Sequence, residues 1–223
     1  MGLDMYLHKA PRYEDYTAED INVIDAYLDW QTEMAKHDDY NYTMKEWCGV
    51  PEDKVRKEAI PFYEKYYTEK YYYWDVAHNY PRYRIFDEVG YWRKANQIHK
   101  WFVDNVQDGV DDCGEYNVPK AKITELLHLC QMVKESSHLG KGWIQNGSQW
   151  SENGWLPVYE EGECIVDSEV AEKYLPTQSG FFFGSTNYDQ YYLDDIEETI
   201  KILTNVLETT DFDNEMIIYS SSW

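Results

Sequence analysis

The residues best suited to chemistry in this 223-residue chain lie in two stretches well separated in sequence. Gly90 to Tyr116, GYWRKANQIHKWFVDNVQDGVDDCGEY, sets Trp92, Arg93, Asn96, His99 and Trp101 among Lys94 and Lys100. Such a set can stack a ring or base and pair an anionic group. The same cations can instead bridge to acidic segments of their own chain, a purely structural use. Gly180 to Asp189, GFFFGSTNYD, contributes Ser185, Tyr188 and Asp189. Gly184-Ser185 has the strand-to-helix setting of a nucleophile elbow, but the G-x-S-x-G pattern is absent. Free amides at a helix start could also cradle an anion. Asp189, Asp194 and Asp195 follow at once and oppose that, so helix capping is the preferred reading. With Asp4 and Asp112 added, the candidate binding set is Asp4, Trp92, Arg93, Asn96, His99, Trp101, Asp112, Ser185, Tyr188 and Asp189. No residue earns a catalytic role.

Metal and thiol chemistry are weakly supported. Asp104, Asp108, Gly109, Asp112 and Glu115 occupy places one, five, six, nine and twelve of an EF-hand-like loop. Val106 stands where a third-place oxygen ligand belongs, and Asp111 replaces the usual apolar eighth residue. The stretch therefore reads as an acidic turn. His8, His37, His78, His99, His128 and His138 are scattered singly, none within a ligand motif with cysteine. Cys113 lies among carboxylates, which disfavour its thiolate. No metal and no cofactor is expected.

The elements that must position these residues follow from periodicity. Tyr91, Ala95, Ile98, Phe102 and Val106 recur at steps of three or four, which predicts one helix running from Gly90. Gly2 to Lys9 alternates as a strand. Thr17 with Asp20 and Thr43 with Glu46 read as capping boxes, and Gly49 as the close of the second helix. Pro51 to Ala59 continues helical, and Phe62 to Phe86 reads as irregular before a short strand at Tyr83–Phe86. Pro119 opens a helix to Lys134. Ser136 to Gly154, rich in Gly, Ser and Asn, reads as a long mobile loop. Val158–Asp167 reads as a strand or hairpin, Gly180–Gly184 as a short strand, and Asp189 to Leu207 as the clearest helix. Met216–Tyr219 closes as a strand. The expected fold class is α+β, a mostly helical single domain over residues 1–223. Its small sheet would be formed by the terminal strands and the Gly180–Gly184 strand.

Composition limits the partners. Hydrophobic residues make up 43% of the chain and aromatics 17%, enough to bury a core. The 22 tyrosines suit binding surfaces as well as core edges. Net charge is −22, with residues 41–100 at +2 and residues 151–223 at −14. Direct nucleic-acid binding is unexpected, because phosphate contacts require a cationic face. An acidic surface favours a basic protein partner or polyanion mimicry. The cysteines Cys48, Cys113, Cys130 and Cys164 form no C-x-x-C pair, MGLDMYLHK lacks an apolar leader core, and no run suits a membrane span. A cytoplasmic protein with no membrane contact is expected.

MGLDMYL at the start, VGYWRKANQIHKWFVDNVQDGVDDCGEY, LPTQSGFFFGSTNYDQYYLDD and the final YSSSW together resemble a family of uncharacterised proteins of bacteriophages and scattered bacteria. The resemblance covers the first strand and most of residues 88–223, and makes 17–70 a variable helical insertion. It implies a phage-type protein acting on host machinery, with no activity to carry over. Two functions are expected from different classes. One is an acidic binding protein engaging a basic surface of a host protein, inhibiting a nucleic-acid-handling defence system by polyanion mimicry. The other is a small-molecule or nucleotide site, or a weakly marked enzyme, around Arg93, Asn96, His99 and Ser185.

Overall fold

The computed structural model describes residues 2–37, 39–73, 76, 81–152 and 154–223, so Trp74 and His78 lie outside the described residues. At its centre is an antiparallel sheet of β1 (Asp4–Pro11), β4 (Asp87–Arg93), β5 (Glu115–Val118) and β8 (Glu215–Ser222), in the order β4-β1-β8-β5. Asp4 pairs with Arg93 on one side and Ser222 on the other, and Leu7 with Gly90 and Tyr219. Alternation along the strands sends Leu3, Met5, Leu7, Trp92, Ile217 and Tyr219 into one core and Ala10, Met216 and Ile218 into the other.

The first core is roofed by α4 (Asn96–Asn105), α5 (Lys120–Ser136) and α7 (Gln190–Thr209). Ile123, Leu126, Cys130 and Val133 on α5, and Tyr192, Ile196, Leu203 and Val206 on α7, recur at steps of three, four or seven and are buried. Each such side chain taken out of water contributes about 1.5–3 kcal/mol. Gly90 lets α7 settle on the sheet, because a Cβ there would lie 2.5 Å from Ile202 Cγ2. The second core lies beneath α1 (Ala18–Lys36), with α2 (Met44–Cys48), α3 (Ile60–Tyr63) and the residues Ile85 and Phe86. Both capping boxes, at Thr17–Asp20 and Thr43–Glu46, are formed, and Gly49 closes α2 at φ +79°. The strands β2 (Thr68–Lys70) and β3 (Arg82–Arg84) pair as a small ribbon.

Four expectations are corrected. The chain is mixed α+β rather than mostly helical, with seven α-helices, eight strands and three sheets among the described residues. Gly90–Arg93 belongs to a strand, and the helix starts only at Asn96. A bulge at Leu7/His8 breaks the register of β1 against β4, which hid the period of two that a strand would show. Gly180–Gly184 is a turn outside the central sheet: Phe183 N–H bonds to Gly180 C=O at 3.2 Å and Gly184 sits at φ +88°. Its Phe182 C=O meets the sheet's margin, accepting from Leu3 N–H at 3.0 Å.

The 136–154 stretch is not a loop. It contains the whole of β6 (Leu139–Ser151), which pairs with β7 (Gly154–Ile165) in a long two-stranded hairpin. α6 (Glu169–Tyr174) follows it. No helix among the described residues is long and apolar enough to cross a membrane.

Candidate functional site

α4 is buried almost all round: Asn96, Gln97, Ile98, His99, Trp101, Phe102 and Val103 are all buried. Its first turn organises a neighbouring loop. Asn96 Nδ2 donates to the carbonyls of Phe183 (3.0 Å) and Ser185 (2.8 Å), and its Oδ1 accepts from Gln178 N–H at 2.8 Å. One amide thus fixes both ends of the 178–185 loop. Lys94, between β4 and α4, is held at φ +63°, its N–H bonded to Leu3 C=O at 2.8 Å. A left-handed lysine costs about 1–3 kcal/mol, and such strain is commoner at binding sites than elsewhere.

Between these elements lies a cavity of about 610 Å³, within the range of small-molecule sites. Arg93, Lys94, Asn96 and Gln97 line it from the β4–α4 junction, and Ser185, Asp189, Asp194 and Asp195 from the start of α7. Gln145, Gly147 and Ser148 reach it from the register shift in β6, and Phe181, Phe182 and Tyr191 give it an apolar margin. Asp189 caps α7, its Oδ1 accepting from Tyr191 N–H (3.0 Å) and Tyr192 N–H (3.2 Å). Its Oδ2 is buried with no hydrogen-bond partner among the described residues. Burial pushes the Asp189 carboxyl up, and pushes Asp195 up to about 7 even though Gln97 donates to it at 3.2 Å.

Of the sequence-derived set, Arg93, Asn96, Ser185 and Asp189 meet at this cavity. Asp4 lies on the opposite face of the sheet, bonded to Tyr91 Oη at 2.5 Å and Arg93 at 3.1 Å. There it lines a second cavity of about 540 Å³ with Tyr6, His8, Tyr72 and Arg84. Trp92 and Trp101 are core residues, 3% and 5% exposed, so neither offers a ring for stacking. Trp92 Nε1 donates to Thr199 Oγ1 at 2.9 Å. His99 is fully buried, with Nδ1 2.8 Å from Tyr219 Oη and Nε2 3.1 Å from Asp111 Oδ2. Trp223 Nε1 donates to the other oxygen of Asp111 at 3.1 Å, so His99 ties the C-terminus to α4. Asp112 is spent on its own turn, accepting from Gly114 N–H and Tyr116 Oη. Tyr188 Oη accepts from Thr177 N–H at 3.3 Å and braces the loop.

Sequence reasoning missed Gln97, Gln145, Ser148, Thr177 and Tyr191 as lining residues, and Asp195 as more than an opponent of anions. Gln97 alone carried a signal, being the next residue after Asn96 in one helical turn. The EF-hand-like places do not converge, since Glu115 lies in β5, and no cluster of metal ligands occurs among the described residues.

The hairpin of β6 and β7 presents a second surface. Trp143, Trp150 and Trp155 are 64%, 69% and 61% exposed, and Tyr159 and Leu156 also face solvent. Trp143 is paired across the strands with Glu161, and Trp150 with Trp155, their rings edge to face at 5.6 Å. Glu160, Glu161 and Glu163 make no ion pair among the described residues, and Lys141 is the hairpin's single cation. Elsewhere in the acidic C-terminal third, Glu197 pairs with Lys134, Glu198 with Lys201 and Glu215 with Lys9. Asp194, Glu208 and Asp213 are exposed and make no ion pair among the described residues. Comparison with protein-family models, with curated proteins and with solved structures finds no match.

Proposed function

We propose that this chain is an acidic binding protein that engages a basic surface of a protein partner, with the β6–β7 hairpin as its principal contact. The observation that carries the reading is the company the exposed tryptophans keep. Large apolar rings left in water on a protruding ribbon are costly unless a partner covers them, and aromatic anchors dominate interface energetics. Glu161 and Glu163 share a strand with Tyr159 and stand beside Trp143, so a partner that covers the rings meets negative charge. Such a surface selects a cationic partner and speeds the encounter. The resemblance to phage proteins directs the proposal to a nucleic-acid-handling host defence enzyme, whose anion-binding face an acidic ribbon would occupy.

The test is capture from a bacterial lysate at about 0.05 M and about 0.5 M salt, where screening differs severalfold. The wild-type chain should retain a basic protein at low salt only. A chain carrying Trp143→Ala and Glu161→Gln should lose it while melting at the same temperature. Capture that ignores salt, or survives both substitutions, would refute the proposal.

A second reading, a small-molecule site, is favoured by the cavity that gathers Arg93, Asn96, Ser185 and Asp189. Its lining does not favour a nucleotide, because Asp189, Asp194 and Asp195 would oppose the phosphates.

A further inference from the structure

The cavity beside α4 contains charges of both signs that its own residues leave unneutralised. Arg93 is engaged by Asp4 at 3.1 Å, but Lys94 makes no ion pair or side-chain hydrogen bond among the described residues. Its side chain runs between two glycines: a Cβ on Gly184 would approach Lys94 Cβ to 3.2 Å, and one on Gly2 would approach Lys94 Cε to 3.2 Å. Glycine at both positions, together with the left-handed backbone at Lys94, keeps that side chain seated along the cavity wall.

From the start of α7 comes the opposite charge. Among the described residues the Asp195 carboxylate is bonded only by the neutral Gln97, and no cation pairs with it. Asp189 is 1% exposed, and its Oδ2 has no donor among the described residues. A buried carboxylate oxygen without a donor carries a desolvation cost that a ligand N–H would remove. Burial already holds both carboxyls above their ordinary range, the response of acids lacking a nearby cation.

These features exclude the simpler ligands. An anion would meet Asp189, Asp194 and Asp195, and a simple cation would meet Lys94 and Arg93. A molecule with a carboxylate and an ammonium a few bonds apart satisfies both. The apolar margin selects its third substituent: Phe181 is 86% exposed and Tyr191 44%, both lining the same cavity with Phe182. A cavity of about 610 Å³ leaves room for a large side chain beyond the charged groups.

We propose that this cavity binds a free amino acid with a bulky apolar or aromatic side chain. Its carboxylate is held by Lys94, its ammonium by Asp195 and Asp189, and its side chain lies against Phe181, Phe182 and Tyr191. The inference rests on the cavity reading and is independent of the hairpin's protein partner.

Calorimetric titration of the full chain with L-phenylalanine, phenethylamine and 3-phenylpropionate tests it, since the last two each lack one charged group. L-Phenylalanine should bind at least about tenfold more tightly than either, the effect of one charge-assisted hydrogen bond. Lys94→Met should weaken L-phenylalanine and leave phenethylamine unchanged, whereas Asp195→Asn should weaken both amines and spare 3-phenylpropionate. Thermal melts of both variants establish that they fold. If a variant fails to fold, the three-ligand comparison on the wild-type chain decides alone. Equal binding of the three ligands, or binding of phenethylamine only, would overturn the amino-acid assignment while leaving a ligand site. No binding of any of them at millimolar concentration would overturn both.

Discussion

Asn96 donates from Nδ2 to the Ser185 carbonyl at 2.8 Å, joining the first turn of α4 to a loop 89 residues away in sequence. All three polar contacts of this 2%-exposed side chain go to backbone groups of the 178–185 loop. The cavity therefore exists in its present shape because one amide holds its far wall. Asn96→Ala should destabilise the chain by about 2–4 kcal/mol, since it leaves buried carbonyls unsatisfied as well as removing bonds. Urea denaturation measures the loss, and hydrogen exchange should show Phe183 and Gln178 amides opening before the core of α7.

His99 links Tyr219 to Asp111 in the buried layer between α4 and β8. Tyr219→Phe keeps the ring, stacked on Phe102 at 4.0 Å, and removes only the hydroxyl. It should cost about 1 kcal/mol, and His99→Phe about 2–3 kcal/mol, because the latter removes the bonds to both Tyr219 Oη and Asp111 Oδ2. Chemical denaturation should rank them in that order. Equal costs would mean that the Asp111 end of the chain of bonds is energetically silent.

Buried ionisable groups on the other face of the sheet make stability depend on pH. Burial lowers His8 from 6.5 to about 4, with the Arg84 charge adding to the effect. Its contribution is fully present above 6.5 and is lost as pH falls toward 4. Burial raises Glu115 from 4.5 to about 7, against the pull of Arg84. That contribution is fully present below 4.5 and is lost as pH rises through 7. Glu115→Gln should accordingly be more stable than wild type by roughly 1–2 kcal/mol at about pH 8 and no more stable at about pH 4. Urea midpoints at the two pH values check it.

Gly90 allows α7 to rest on β4, with Ile202 Cγ2 2.5 Å from where a Cβ would be. Gly90→Ala should cost about 1–3 kcal/mol through overpacking, and combined with Ile202→Ala, which removes Cγ2, it should cost less than the two single changes added together. Thermal melts of the single and double variants read the coupling. Strictly additive effects would show that the contact relaxes freely.

Much of the architecture could be read from local chemistry. The capping boxes at Thr17 and Thr43, the apolar stripes of α5 and α7 and the alternation of β1 each write their element in a few residues. The junction at Arg93-Lys94 was misread because Tyr91, Ala95 and Ile98 satisfy helical spacing by coincidence, while the strand register is broken by a bulge. The hairpin was invisible for another reason. Most of its residues face solvent on both sides, so no buried face imposes a period of two, and its Gly, Ser and Asn content reads as loop. Four members of the candidate set could be found because Arg93 and Asn96 share one segment and Ser185 and Asp189 another. Thr177, Gln145 and Ser148 arrive from separate segments, and only tertiary structure brings them together.

The β6–β7 ribbon is two strands wide, so each strand keeps an outer edge of amides and carbonyls that no third strand of its own sheet covers. Copies of such a ribbon, rich in tryptophan, would ordinarily stack edge to edge into larger sheets. Glu160, Glu161 and Glu163 lie along one of those edges, and like charges brought together at strand spacing repel. Such charges oppose edge-to-edge association, and a chain stripped of them should precipitate more readily as its concentration rises.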